Sequence, residues 1–150
     1  MSIQDKINKD IKSAMIEKNV DKLAALRAVK SAFLLEMTKD GSTSVSDTIA
    51  QSIISKLVKQ RKDSYDIFIQ QNRSDLAEDE RNQISYLNDY LPEQMNEDEV
   101  RIVVRDILTS LNPTGPSDLG MIMGAVMPKL KGRADGKLIS KIVREELTSL

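Results

Sequence analysis

The sequence predicts an all-α, multihelical protein: an N-terminal helical domain of about four helices over residues 1–92, then a small three-helix C-terminal domain over residues 96–150. Three observations carry this. Apolar residues recur at spacings of three and four almost from end to end, and no segment alternates with period two. The breaks between periodic stretches hold capping residues, Gly or Pro. Finally, Pro92-Glu93-Gln94-Met95 separates two apolar sets, and the chain beyond it is richer in glycine, as expected at a domain boundary.

The elements follow in order. Ser2 is a cap candidate for a first helix carrying Ile3, Ile7, Ile11, Ala14 and Met15. After Asn19, Asp21 is expected to cap a second helix with the stripe Leu23, Leu26, Val29, Phe33, Leu34 and Met37, which Asp40-Gly41 stops. The polar stretch Gly41-Ser42-Thr43-Ser44 reads as a loop. Ser46 or Asp47 then caps a long third helix through Ile53, Ile54, Leu57, Val58, Arg61, Tyr65 and Phe68. Asn72-Arg73-Ser74 interrupts it, and a fourth helix carries Leu76, Ile84, Leu87 and Leu91 up to Pro92. Asn96 and Glu99 have the spacing of a capping box for a fifth helix bearing Val100, Val103, Val104, Ile107, Leu108 and Leu111. A sixth starts at Ser117 or Asp118, buries Leu119, Ile122, Met123, Val126 and Met127, and is expected to end at Pro128, which lacks the amide that would bond Gly124. The last runs from about Lys137 to Leu147.

Composition narrows the chemistry. The chain has no cysteine and no histidine, which removes disulfides, thiolate nucleophiles, His-based triads, the usual zinc sites and imidazole proton shuttles. With two Phe, three Tyr and no Trp, mostly at helical core spacing, there is little to stack RNA bases on. The formal charge of −1 supplies no global attraction for nucleic acid or an anionic membrane, so any such affinity must be local. Apolar runs fall far short of the roughly 20 residues of a membrane span. The expectation is a cytosolic protein without membrane contact, metal or cofactor.

Four groups of residues could still carry function. Gly120, Gly124 and Pro128 are spaced along one face of a helix, where a phosphate loop is excluded and a thin face for close helix packing, or for a partner, is expected. Glu93, Glu97, Asp98 and Glu99 point in different directions around a helix start, so they read as dipole complements rather than a magnesium site. Lys59, Arg61 and Lys62 precede Asp63 and Asp66, and one-turn pairing predicts a self-neutralised face. From Lys129 to Arg144 the balance differs: Lys129, Lys131, Arg133, Lys137, Lys141 and Arg144 face Asp135 alone. Lys137, Lys141 and Arg144 share one helix face, opposite Leu138, Ile139, Ile142, Val143 and Leu147, with Glu146 a misfit among the apolar positions. Phosphate contacts and a plain solvated surface both fit that stripe.

The tail residues also have a likeness. Asp118-Leu119-Gly120, Met123-Gly124 and the run from Met127-Pro128-Lys129 through Lys131-Gly132-Arg133-Ala134-Asp135-Gly136-Lys137 resemble the signature of the YqeY family. Lys59-Gln60-Arg61-Lys62-Asp63-Ser64, Tyr90-Leu91-Pro92-Glu93-Gln94, Asp21-Lys22-Leu23, Leu26-Arg27 and Lys30 resemble its earlier motifs. The family's tail is similar to the C-terminal domain of the GatB subunit of the glutamine-dependent aminoacyl-tRNA amidotransferase. The resemblance implies an all-helical protein of two domains whose tail matches a tRNA-contacting appendage, without the catalytic portion of that subunit. The expectation is therefore a non-catalytic tRNA- or aminoacyl-tRNA-associated binding protein, with the six tail cations as phosphate contacts. Its rival is a protein-interaction adaptor that docks an enzyme or ribosome-associated partner through the Gly120 and Gly124 face; an accessory component of an amidotransferase ranks last.

Overall fold

A computed structural model describes residues 1–150 as seven α-helices and one 3-10 turn, with no strand. The helices are α1 Ile3–Glu17, α2 Val20–Asp40, α3 Asp47–Gln70, α4 Ser74–Asn88, α5 Glu97–Leu111, α6 Leu119–Leu130 and α7 Gly136–Thr148. The all-α reading holds. Backbone contacts divide the chain into two compact units, Met1–Leu91 and Pro92–Leu150.

In the first unit, Ser2 Oγ accepts from the Asp5 N–H at 3.1 Å and starts α1. The start of α1 is tied to that of α3, because the Ile3 N–H donates to Asp47 at 2.9 Å and the Gln4 side chain accepts from the Val45 N–H at 3.0 Å. Lys18 turns the chain in the left-handed region, and the cap of α2 is Asn19, whose side chain accepts from the Lys22 N–H at 3.2 Å. Asp21, expected in that role, sits inside the first turn and accepts from Asn82 on α4 at 3.0 Å. Gly41, at φ +69°, ends α2 in a conformation that glycine adopts without steric cost. Ile7, Leu26, Val29, Phe33, Ile54 and Leu87 form the centre of the core.

Two expected core residues of this unit are exposed, Met15 at 53% and Leu34 at 54%. Each lies about 80° around its helix from the buried line, Ile7 for Met15 and Leu26 for Leu34, at roughly 100° per residue. The buried arc of α2 turns the other way, from Leu26 through Phe33 and Val29 to Ala25. Because α2 is apolar nearly all round, spacing alone does not choose between the two sides.

In the second unit, Asn96 caps α5 by accepting from the Glu99 N–H at 2.9 Å, and no hydrogen bond returns from the Glu99 carboxylate. Asn112, at φ +46°, ends that helix. The side chain of Asp118 is turned back onto Thr114, accepting from its N–H at 2.7 Å and its hydroxyl at 3.0 Å. The next segment therefore opens as a 3-10 turn, Pro116–Asp118, and α6 begins one residue later. Pro128 does not end α6, which continues to Leu130. The carbonyl that loses its partner belongs to exposed Gly124, where water can bond it, so the missing amide is tolerated so near the helix end. Gly132, at φ +81°, makes the turn that follows, and Asp135 caps α7 through the Lys137 N–H at 3.4 Å. Val100, Val104, Ile122, Val126, Leu130, Ile139, Ile142 and Leu147 make a separate core.

Candidate nucleic-acid interface

The six tail cations all come from the last turn of α6, the loop after it and α7. Lys129 sits one residue before the end of α6, Lys131 and Arg133 lie in the connecting loop, and Lys137, Lys141 and Arg144 ride on α7. Each is exposed. Only Lys141 has a carboxylate within 4.0 Å, that of Glu145 one turn on. The loop carrying Lys131 and Arg133 is braced from the backbone: the Met95 N–H donates to the Arg133 carbonyl at 2.8 Å, and the Gln94 amide to the Gly132 carbonyl at 2.8 Å. Side chains on the loop are thus displayed from a fixed main chain.

The acids nearest the stripe are held elsewhere. Glu145 and Glu146 follow Arg144 directly, and both are engaged by α5: Arg101 donates to Glu145 and to Glu146 at 2.8 Å each, and Arg105 to Glu146 at 3.1 Å. Arg101 also reaches Glu97 at 3.1 Å. Hydrogen bonds from Arg105 and Arg101 hold the Glu146 carboxyl below the ordinary carboxylate range, and those that Arg101 donates to Glu146 and Glu145 push its guanidinium up. Glu146, the misfit in the sequence, is thereby accommodated with its side chain only 12% exposed. Sequence spacing does not disclose this network, since its partners lie 41 to 45 positions apart.

Two other expectations are corrected. Lys59 and Lys62 make no ion pair with Asp63 or Asp66; both lysines are exposed with no carboxylate within 4.0 Å. Arg61 leaves the cluster altogether, donating to Gln83 on α4 at 2.9 Å and to the Leu57 carbonyl at 3.2 Å, with burial lowering its pKa. The face is solvated but not neutralised by pairing. Gly120, Gly124 and Pro128 do not form a packed contact within the chain: all three are exposed, and a Cβ added at either glycine would meet nothing within 4 Å. The helices that bury α6 do so through Ile122, Val126 and Leu130, on another face.

A groove of about 480 Å³ lies between α5 and α6. Val103, Ile107, Leu111, Ala125 and Leu130 give it aliphatic walls. Asp106, Ser110, Lys129 and Arg133, all exposed, are its polar lining. No group of three acidic side chains is placed to hold a metal ion, and the three that meet, Glu97, Glu145 and Glu146, converge on Arg101.

The sequence is similar to several known proteins. A family model described as Yqey-like protein matches residues 4–147. The protein named altered inheritance of mitochondria protein 41, mitochondrial, from Pyrenophora tritici-repentis is 32% identical over 143 residues, which are 93% of this chain and 78% of that protein. Its namesake from Lachancea thermotolerans is 32% identical over 113 residues, 74% of this chain and 60% of the relative. A component of glutamyl-tRNA(Gln) amidotransferase from Thermococcus gammatolerans is 38% identical over 60 residues, 37% of this chain and 10% of that protein. The mitochondrial names overturn the expectation of a cytosolic address, which rested only on features the sequence lacks. A match over nearly the whole length, to the family that its tail motif resembles, means that the chain belongs to the YqeY-like family.

Proposed function

We propose that this protein is a non-catalytic tRNA-binding module, with Lys129, Lys131, Arg133, Lys137, Lys141 and Arg144 contacting phosphates. The observation that carries the reading is that the six cations are exposed and five of them have no carboxylate within 4.0 Å, while Glu146 is occupied by Arg101 and Arg105 and Glu145, the one acid that Lys141 approaches, is shared with Arg101. A local positive field on a chain of net charge −1 is what phosphate binding requires. The Thermococcus relative, which by its name belongs to an amidotransferase of glutamyl-tRNA(Gln), matches over 60 residues, about the length of the second unit, and gives the reading its choice of RNA. Contacts of this kind position a protein on RNA without reading its sequence. Binding of total tRNA by the purified chain, measured at two salt concentrations, tests the proposal: affinity must be present at low salt and fall as salt rises.

One observation favours a second reading. The Gly120, Gly124 and Pro128 face of α6 is open, with half-exposed Met121 beside it, as the docking surface of an adaptor would be. Salt-insensitive binding to a protein, with no affinity for tRNA, would favour that reading over the first.

A further inference from the structure

We infer that the groove between α5 and α6 receives the aminoacyl group of a charged tRNA, an inference that rests on the tRNA reading above. The groove presents charge of both signs that nothing in the chain uses: Asp106, Lys129 and Arg133 all line it, and none has an opposite charge within 4.0 Å. Lys129 and Arg133 are also two of the six cations assigned to phosphate, so the groove opens directly onto that surface.

The nature of the walls selects the occupant. Proteins that take up a splayed RNA base stack it on an aromatic ring or an Arg plane; the groove has no aromatic lining, and its one guanidinium, that of Arg133, is assigned to phosphate. Val103, Ile107 and Leu130 offer instead an aliphatic surface, suited to an amino-acid side chain. An aminoacyl ester at the end of an RNA brings the complementary set together. Its nearest phosphate is matched by Lys129 and Arg133, its α-ammonium by Asp106, and its side chain by the aliphatic wall. A volume of about 480 Å³ accommodates such an end. Uncharged tRNA has no cation to offer Asp106, so the groove distinguishes the two forms.

The test compares one leucine tRNA in three states, leucyl, N-acetyl-leucyl and uncharged, binding to the full chain and to its Asp106→Asn variant. The wild type is expected to bind the leucyl form about fivefold more tightly than the uncharged form, the scale of a partly exposed ion pair with some apolar burial. N-acetylation removes the positive charge and should reduce the preference to what the aliphatic wall alone supplies, as should Asp106→Asn. Uncharged tRNA should bind Asp106→Asn at least as tightly as wild type, because a repelling carboxylate has gone. Equal binding of leucyl and uncharged forms by wild type overturns the groove assignment and leaves the phosphate surface standing. A preference left undiminished by both N-acetylation and Asp106→Asn overturns it as well. Binding of no form at all overturns the tRNA reading and this inference together.

Discussion

Glu146 shows how a single side chain links packing to charge. Its carboxylate sits between Arg101 and Arg105 of α5 and joins α7 to that helix, while leaving the opposite face of α7 to its cations. Replacing it with Gln should lower stability by about 1 kcal/mol, within the range of ion pairs organised as a network. Because its folded pKa is depressed, its contribution is complete above the ordinary value of 4.5 and is lost as pH falls through the folded value. Thermal melts from neutral pH down into that acidic range should show a loss in wild type that Glu146→Gln lacks. Gly124 is the second residue that separates explanations. In open space on an exposed helix face it confers only flexibility, so Gly124→Ala should raise stability by about 0.5–1 kcal/mol in chemical denaturation. A loss would restore the packed face. Both residues are visible in the sequence as irregularities, an acid among apolar positions and glycines inside a helix. Their explanations are not, because the partners of Glu146 lie on another helix and the space over Gly124 depends on which face α6 buries.

Helices are the scale at which the sequence is most readable. Ser2, Ser46 and Asn96 each accept a backbone N–H at a helix start, a pattern that local spacing reveals before any tertiary structure exists, and Asp135 does the same for α7, which begins one residue before the start that the sequence places at about Lys137. The departures are local in form but tertiary in cause. Asn19 rather than Asp21 caps α2 because Asp21 is drawn to Asn82 of α4. Similar polar links hold α4 and the turn after it along the first helical pair, from Asn19 to Tyr86 on α4 at 2.9 Å and from Tyr90 in the turn to Asp10. Burial, and then the hydrogen bond to Asp10, push the Tyr90 phenol upward, so it remains a donor to that carboxylate throughout the neutral range. Tyr90→Phe should therefore cost about 1–2 kcal/mol in urea unfolding, a hydrogen bond to a charged group being the stronger kind. No change would mean that the Tyr90 hydrogen bond adds nothing to the apolar contacts and to the links made by Tyr86 and Asn82.

For the whole molecule, the division at Pro92 has a consequence for folding. Each unit has its own core, so the fragment Pro92–Leu150 should give a helical circular dichroism spectrum and a cooperative thermal transition, though of marginal stability for its size. A random-coil spectrum would mean that its core depends on the first unit. The charge distribution is likewise a property of the complete chain: composition is nearly neutral, and the tail stripe is legible in the sequence as an excess of cations. That Arg101 and Arg105 occupy the neighbouring acids is not legible there, since it depends on which helices meet, and the one-turn spacing of Lys59 from Asp63 and of Lys62 from Asp66 on α3 permits a pairing that the side chains do not make. Those two lysines supply the control for the central claim. The decisive measurement is tRNA affinity as a function of salt for wild type, for Lys137→Glu with Lys141→Glu, and for Lys59→Glu with Lys62→Glu. If about three to five tail cations neutralise phosphates, the wild-type log–log slope should have a magnitude of roughly 2–4. The tail pair should weaken binding and flatten the slope about equally for different tRNAs, and the α3 pair should do less, because the neighbouring Asp63 and Asp66 are not held by other cations and offset its field without pairing, whereas Glu145 and Glu146 are taken up by α5. Loss of binding from the α3 pair with none from the tail pair, or no tRNA binding by wild type at low salt, would contradict the account.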